Sequence, residues 1–287
     1  MKTIDRSTIP QDYIYYRTGS QAFYDYYKSI KSLVIGRIWD GYEFFKAMQF
    51  FPWLWSVSVE KHDEEIKKDT LKKDWIYHGI IFWTPLRIIK KPIGWFQMPK
   101  WFVKWQNHST RSAFSVLDRE DYWNKWSSSA RAHRRHVLES IQSGKIRIES
   151  SDIDAFLQVY AASKVHDPNK WFVKRMTKRL FGNSTSKYRV YIAYVDNIPL
   201  AWAVFIDEST TSEYWASFYT KESYPYHLWI AIMDRWFLDS YKQWIKYCDL
   251  DHMRDKGQSL GYSGYTKFKE WIADYDVYFH DMWIKIF

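Results

Sequence analysis

RVYIAYVDNIPLAWAVFID (189–207) and EYWASFYTKESYPYHLWIAIMDRWFLDSYKQWIKYCDLD (213–251) are the stretches whose reading decides the fold. Arg189 to Val195 is apolar and rich in β-branched residues, as a strand requires. Asp196-Asn197 follows, a pair whose short side chains tolerate left-handed backbone, and Leu200 to Ile206 answers as the second arm of a hairpin. Glu213 to Tyr219 reads as a third strand. From Tyr226 to Lys242 apolar residues recur at helical spacing (Leu228, Ile232, Trp236), which predicts a long helix. Ile245 to Leu250 is too short and too apolar for a surface helix and reads as a buried strand. A short helix and a last strand lie in GYTKFKEWIADYDVYFHDMWIKIF (264–287). The fold class expected is α+β, with a mixed sheet.

The rest of the chain is read outward from there. Asp40 to Gln49 reads as a short helix, and Trp53 to Glu60 alternates like a strand before a charged helical stretch, Lys61 to Lys73. Trp75 to Trp83 and Leu86 to Ile89 read as strands, with an irregular strand over Ile93 to Val103. Polar Asn107 to Ser115 reads as a linker, and Asp118 to Gln142 as a helix stopped by Gly144. Lys145 to Ile148 reads as a strand, and Ser151-Asp152 caps a helix with the stripe Ile153, Phe156, Leu157 and Tyr160. Asn169 to Phe181 reads as another helix, with Lys170, Lys174 and Lys178 at four-residue steps and Arg175 and Arg179 beside them. This places one domain in 1–110 and another in 111–271, with 272–287 returning to the first.

The 287 residues carry 42 basic and 33 acidic groups, a net charge of +9 spread along the chain. That balance suits an anionic partner such as RNA, phosphate or a nucleotide-sugar, and equally a merely soluble surface. A single cysteine, Cys248, excludes an internal disulfide and fits a reducing compartment, so a cytoplasmic location is expected. The apolar run 80–96 is broken by Pro85, Arg87, Lys90, Lys91 and Pro92 and cannot span a bilayer as a helix. No apolar run follows a basic start at the N-terminus. The nine histidines show no metal-ligand spacing; His133 and His136 lack an acidic or Cys partner, so neither metal nor cofactor is expected.

Four stretches carry a resemblance: the hairpin YIAYVDNIPLAWAVFI, then EYWASFYTK, KQWIKYCDLD and GYTKFKEW. Together they resemble the GNAT acyltransferase fold and, within it, the Fem family of peptidoglycan bridge-forming aminoacyltransferases. ARAHRRHV (130–137) resembles the basic helix opening that family's second domain, and PIGWFQMPKWF (92–102) a strand of its first. The resemblance implies two tandem GNAT-like domains and transfer of an amino acid from aminoacyl-tRNA to an amine of a peptidoglycan precursor. The precursor would be a lipid- or UDP-linked muropeptide, with peripheral membrane association through that substrate. Two alternatives stay open: an acyl-CoA-dependent N-acyltransferase on the same fold, and a non-catalytic wall- or carbohydrate-binding module. The Gly-rich pyrophosphate loop of acetyl-CoA enzymes is absent.

Within this resemblance Lys269, in the pair Phe268-Lys269, would place a cation near the transferred carbonyl or a tRNA phosphate. A solvated helix lysine is the plainer reading. Asp249 ends a buried strand, where α/β folds place functional groups, and equally suits a carboxylate capping the next loop. Tyr214 and Tyr219 would line the cleft or simply fill core. Arg131, Arg134 and Arg135, with Lys174 and Lys178, make a phosphate-binding surface for a tRNA stem, or a solvated face.

Where the family has glycine, this chain has tryptophan at 202, 215, 244 and 271, and at 101. The chain holds 18 Trp and 10 Gly, against an average Gly usage of about 7%. These tryptophans are either genuine or UGA codons that the source reads as glycine. Trp244 is the sharpest case, since it follows the long helix where a left-handed residue belongs.

Overall fold

A computed structural model describes residues 1–4, 8–10, 12–13, 21–28, 33–37, 44–51, 54–60, 66–84, 92–99, 111–163, 174, 177–178, 181, 187–253, 266–278 and 282–287. In chain order the elements are β1 (Lys2–Ile4), α1 (Gln21–Lys28), β2 (Leu33–Arg37), β3 (Phe44–Phe51), β4 (Leu54–Glu60), α2 (Lys68–Lys73) and β5 (Gly79–Thr84). Then come β6 (Phe96–Gln97), β7 (Arg111–Val116), α3 (Ser128–Gln142), β8 (Ile146–Ser151), α4 (Ile153–Ala162), β9 (Lys187–Val195) and β10 (Ile198–Glu208). The chain continues through β11 (Thr211–Tyr219), α5 (Leu228–Lys242), β12 (Tyr247–Met253), α6 (Lys267–Ile272), β13 (Tyr275–Tyr278) and β14 (Trp283–Ile286). The strands pair into one sheet ordered β1-β13-β7-β12-β11-β10-β9-β8 and another ordered β2-β3-β4-β5-β14-β6, an α+β architecture.

The chain divides into two compact units. The first comprises Met1–Lys2, Ala113–Asp251 and Gly257–Asp276; the second comprises Thr3–Ser112, His252–Lys256 and Val277–Phe287. In the second unit β2, β3 and β4 form an antiparallel meander. After α2, β5 lies parallel to β4, and β14, from the chain's end, is antiparallel to β5 and β6. Its core gathers Phe45, Ala47, Val57, Val59, Leu71, Ile81, Trp83 and Trp95. Of the helix expected over Asp40 to Gln49, the described residues 44–49 are instead part of strand β3. The reason is pairing. Phe45 and Ala47 alternate into the core with period two, and β3 hydrogen-bonds on both edges, which outweighs a helix too short to stabilise itself.

In the first unit, Asp196 and Asn197 turn the β9–β10 hairpin with φ of 49° and 66°. These are the two positive angles that a two-residue turn of the favoured twist needs. Asp152 caps α4 by accepting a hydrogen bond from the Ala155 N–H at 2.8 Å, and Ser127 caps α3 through the Ala130 N–H at 3.2 Å. On α5, Leu228, Ile232 and Trp236 are all buried. Trp236 stacks on Phe205 at 4.3 Å and donates to Ser212 Oγ at 2.7 Å. Beside it Arg189 donates to Asp207, Ser212 and Ser240, at 2.6, 2.9 and 2.7 Å, tying β9 to β10, β11 and α5. Truncating a ring as enclosed as Trp236 costs about 3–5 kcal/mol.

Residues 111–115, expected as linker, are the buried body of β7. Their polar side chains misled the reading. Ser115 Oγ donates to the Ile272 carbonyl at 3.1 Å, so the hydroxyl is satisfied inside the fold. The expected strand Leu86 to Ile89, Trp101, and Lys170, Arg175 and Arg179 lie outside the described residues. No helix among the described residues is long and apolar enough to cross a membrane.

Candidate functional site

Among the described residues, β11 is paired along both edges at its start and along one edge only at its end. On one side it runs antiparallel to β10 from Glu208↔Thr211 to Ala201↔Tyr219. The register shifts between Val204 and Phe205, which face Ala216 and Tyr214, so Trp215 is the extra residue of a β-bulge. On the other side β11 is parallel to β12 over Thr211↔Tyr247, Ser212↔Cys248 and Glu213↔Asp249, and there the pairing stops. Both strands continue, to Tyr219 and to Met253. A bulge bends its strand and raises the local twist, so the bulge at Trp215, just past the last pair, accounts for the parting.

α6 stands beside this opening. Its end is fixed by two hydrogen bonds: the Ser127 N–H donates to the Trp271 carbonyl at 2.8 Å, and Ser115 Oγ to the Ile272 carbonyl at 3.1 Å. The Phe268 ring lies 5.8 Å from that of Tyr214 and 5.7 Å from that of Trp229. Lys269 is fully buried, and its Nζ lies 5.2 Å from the centre of the Tyr214 ring. An ammonium over an aromatic face is stabilised by the ring quadrupole, more strongly when water is excluded. Burial pushes the Tyr214 hydroxyl well above its ordinary range; its contact with Ser217 Oγ opposes this, and the charges of Tyr219 and Asp251 add to it. Tyr214 therefore stays neutral.

A cavity of about 360 Å³ opens here, lined from β11 by Ser217, Phe218 and Tyr219, from α5 by Trp229, Ile232 and Met233, and from α6 by Lys267, Phe268 and Trp271. His133 of α3, and His227 just before α5, complete the wall. Their imidazoles stack at 3.7 Å, 8° from parallel. Burial lowers the basicity of both; His136 adds to this for His133, and His133 and His136 for His227. Two neutral rings facing a mostly apolar cavity can accept a proton from an entering group. Sequence reasoning missed this pair, because 94 positions separate its members (227 − 133) and no local pattern links them.

The remaining expected residues divide. Phe268 and Tyr219 line the cavity, and Lys269 and Tyr214 stand behind them. Asp249 is buried at the last β11–β12 pair, and its Oδ1 accepts from the Asp251 N–H at 2.7 Å. That bond supports a left-handed turn at Asp251, φ 61°. Arg134 is tied to Asp234 of α5 at 2.6 Å, an acid that also receives the Tyr122 hydroxyl at 2.8 Å, so this arginine fastens α3 to α5. Arg131 donates to the Asn124 carbonyl at 2.9 Å. Arg135, Lys174 and Lys178 are exposed on helical backbone. Cys248 is fully buried, with its thiol pushed up by that burial, which keeps it protonated.

The sequence matches no protein-family model and no curated protein. Among solved structures, FemX superposes with a TM-score of 0.65 at 10% identity, covering 93% of this chain and 91% of that one. L-PGS from Bacillus licheniformis superposes at 0.51 and 10% identity, over 93% of this chain and 87% of its own. A conserved protein of unknown function from Bacteroides thetaiotaomicron VPI-5482 reaches 0.55 at 10% identity, over 92% and 89%. The chain shares the fold of FemX, with its C-terminal strand β14 returning to pair with β5 and β6.

Proposed function

We propose that this chain is an acyltransferase, and specifically that it moves an amino acid from aminoacyl-tRNA to an amine of a peptidoglycan precursor. The observation that carries the reading is the parting of β11 and β12 after Glu213 and Asp249, with Phe268 on the cavity wall beside it and Lys269 buried behind, over the Tyr214 ring. A slot between parallel strands offers apolar walls to an extended acyl group. In the reaction the amine nitrogen attacks the ester carbonyl carbon. The C–N bond forms, the ester C–O bond breaks, and the amine proton passes to the departing ribose oxygen. The oxyanion formed on the way needs a fixed positive charge in a water-poor setting, the role given to Lys269. The acceptor is a lipid- or UDP-linked muropeptide, met in the cytoplasm or at the membrane surface.

An acyl-CoA donor is the second reading, favoured by the largely apolar cavity beside Phe268. The test is a transfer assay with purified chain, a charged tRNA pool and UDP- or lipid-linked muropeptide, read by product mass. An amide product made from aminoacyl-tRNA is expected. Thermal stabilisation and turnover with CoA thioesters alone would overturn the aminoacyl-tRNA reading.

A further inference from the structure

Three helices among the described residues end in one and the same turn. After α3, Gly144 has φ 76°; its N–H donates to the Ile141 carbonyl and the Lys145 N–H to the Ser140 carbonyl, both at 3.0 Å. After α5, Trp244 has φ 62°; its N–H donates to Tyr241 at 3.0 Å and the Ile245 N–H to Ser240 at 3.1 Å. After α2, Trp75 has φ 61°; its N–H donates to Lys72 at 3.0 Å and the Ile76 N–H to Leu71 at 3.1 Å. This crossed pair of bonds is the Schellman ending, whose central residue is left-handed and is usually glycine, because a Cβ there crowds the following carbonyl.

Tryptophan is a poor occupant of that position, and the fold does not compensate it. Trp244 is 89% exposed and Trp75 is 77% exposed, while the residues after them, Ile245 and Ile76, are buried as the motif requires. Trp75 has an edge contact with Tyr77 at 6.5 Å. Among the described residues, the other non-glycine positions with positive φ are Asp196, Asn197, Ser209, His227 and Asp251, all small or polar types. The two tryptophans are the bulky exceptions. Trp236 is the contrast, being fully buried, stacked and hydrogen-bonded.

We infer that residues 75 and 244 are glycine in the protein as its own cell makes it, encoded by UGA codons read as glycine, while Trp236 is encoded by UGG. The backbone at Trp202, Trp215 and Trp271 is not left-handed and requires no glycine, so the inference rests on 75 and 244 alone. Two measurements test it. Sequencing the coding DNA should return TGA at 75 and 244 and TGG at 236; TGG at either of the first two, or TGA at 236, overturns it. In the recombinant chain with tryptophan at these positions, Trp75→Gly and Trp244→Gly should each raise the thermal midpoint by about 2 °C, while Gly144→Trp lowers it. An unchanged or lower midpoint for both Trp→Gly variants overturns the backbone argument independently of the codons.

Discussion

The two units contain the same parallel crossover, strand–helix–strand, built to different ends. In the second unit β4 and β5 pair without a break from Trp55↔Gly79 to Glu60↔Thr84, the whole length of β5. In the first unit β11 and β12 pair over three residues and then part. The zipped crossover has a six-residue helix and a core of Val57, Val59, Ile81 and Trp83. The parted one has a fifteen-residue helix, a mid-strand bulge and a cavity walled by aromatic rings. One topology is thus built closed or open, and what differs is how far its two parallel strands pair. A paired strand satisfies its backbone with its neighbour; a parted one must meet other partners.

The comparison can be broken most severely at Lys269. Lys269→Met keeps most of the side-chain volume and removes the charge. Transfer should fall about 10²–10³-fold in kcat while the urea midpoint stays near the parent's, since loss of one oxyanion stabiliser typically has that effect. Turnover within a few-fold of the parent would strip the parted crossover of its catalytic meaning. Next in size is Gly79→Ala in the zipped crossover. A Cβ at Gly79 would stand 2.4 Å from the Trp55 carbonyl oxygen, so β4 and β5 would have to separate there. We expect a loss of about 1–3 kcal/mol in urea unfolding, and a neutral result would mean the zip is loose.

The smallest effect sharpens the contrast through pH. His133 and His227 of the parted crossover's cavity are both less basic than free histidine, chiefly through burial. Their neutral forms therefore contribute stability that is full above the unfolded pKa of about 6.5 and lost as pH falls through their lower folded values. His136 stands close enough to add to the effect on both rings, and Lys267 shares the cavity wall with them. The urea midpoint should fall slightly between pH 7 and 5, and the double variant His133→Gln/His227→Gln should flatten that slope. An unchanged slope would separate the stacked pair from the pH response.

Much of the first unit could be read from the chain. The Asp196-Asn197 turn, the stripe Leu228-Ile232-Trp236 and the cap at Asp152 are local signals, and each stands where its spacing put it. Two other strands were less legible. Most of β3 looked helical, because nothing local announces that Phe45 and Ala47 will be paired on both edges. β7 looked like a linker, because Ser115 carries no sign of its partner at Ile272, 157 positions away. The basic helix was legible as a helix but not in its use, since Arg134 meets Asp234 only when α3 packs on α5.

The amino-acid order alone determined the α+β class, the turns and helix caps, the hairpin register and the demand for a left-handed residue after the long helix. These depend on bonds between residues two to six positions apart, where side-chain size and backbone torsion act directly. Tertiary structure decided where pairing between parallel strands ends, which arginine is consumed in an internal ion pair, and that the Lys269 ammonium is enclosed against Tyr214. Those outcomes depend on contacts closed over dozens of residues. Burial and partner geometry there are properties of the packed chain, not of any segment of it.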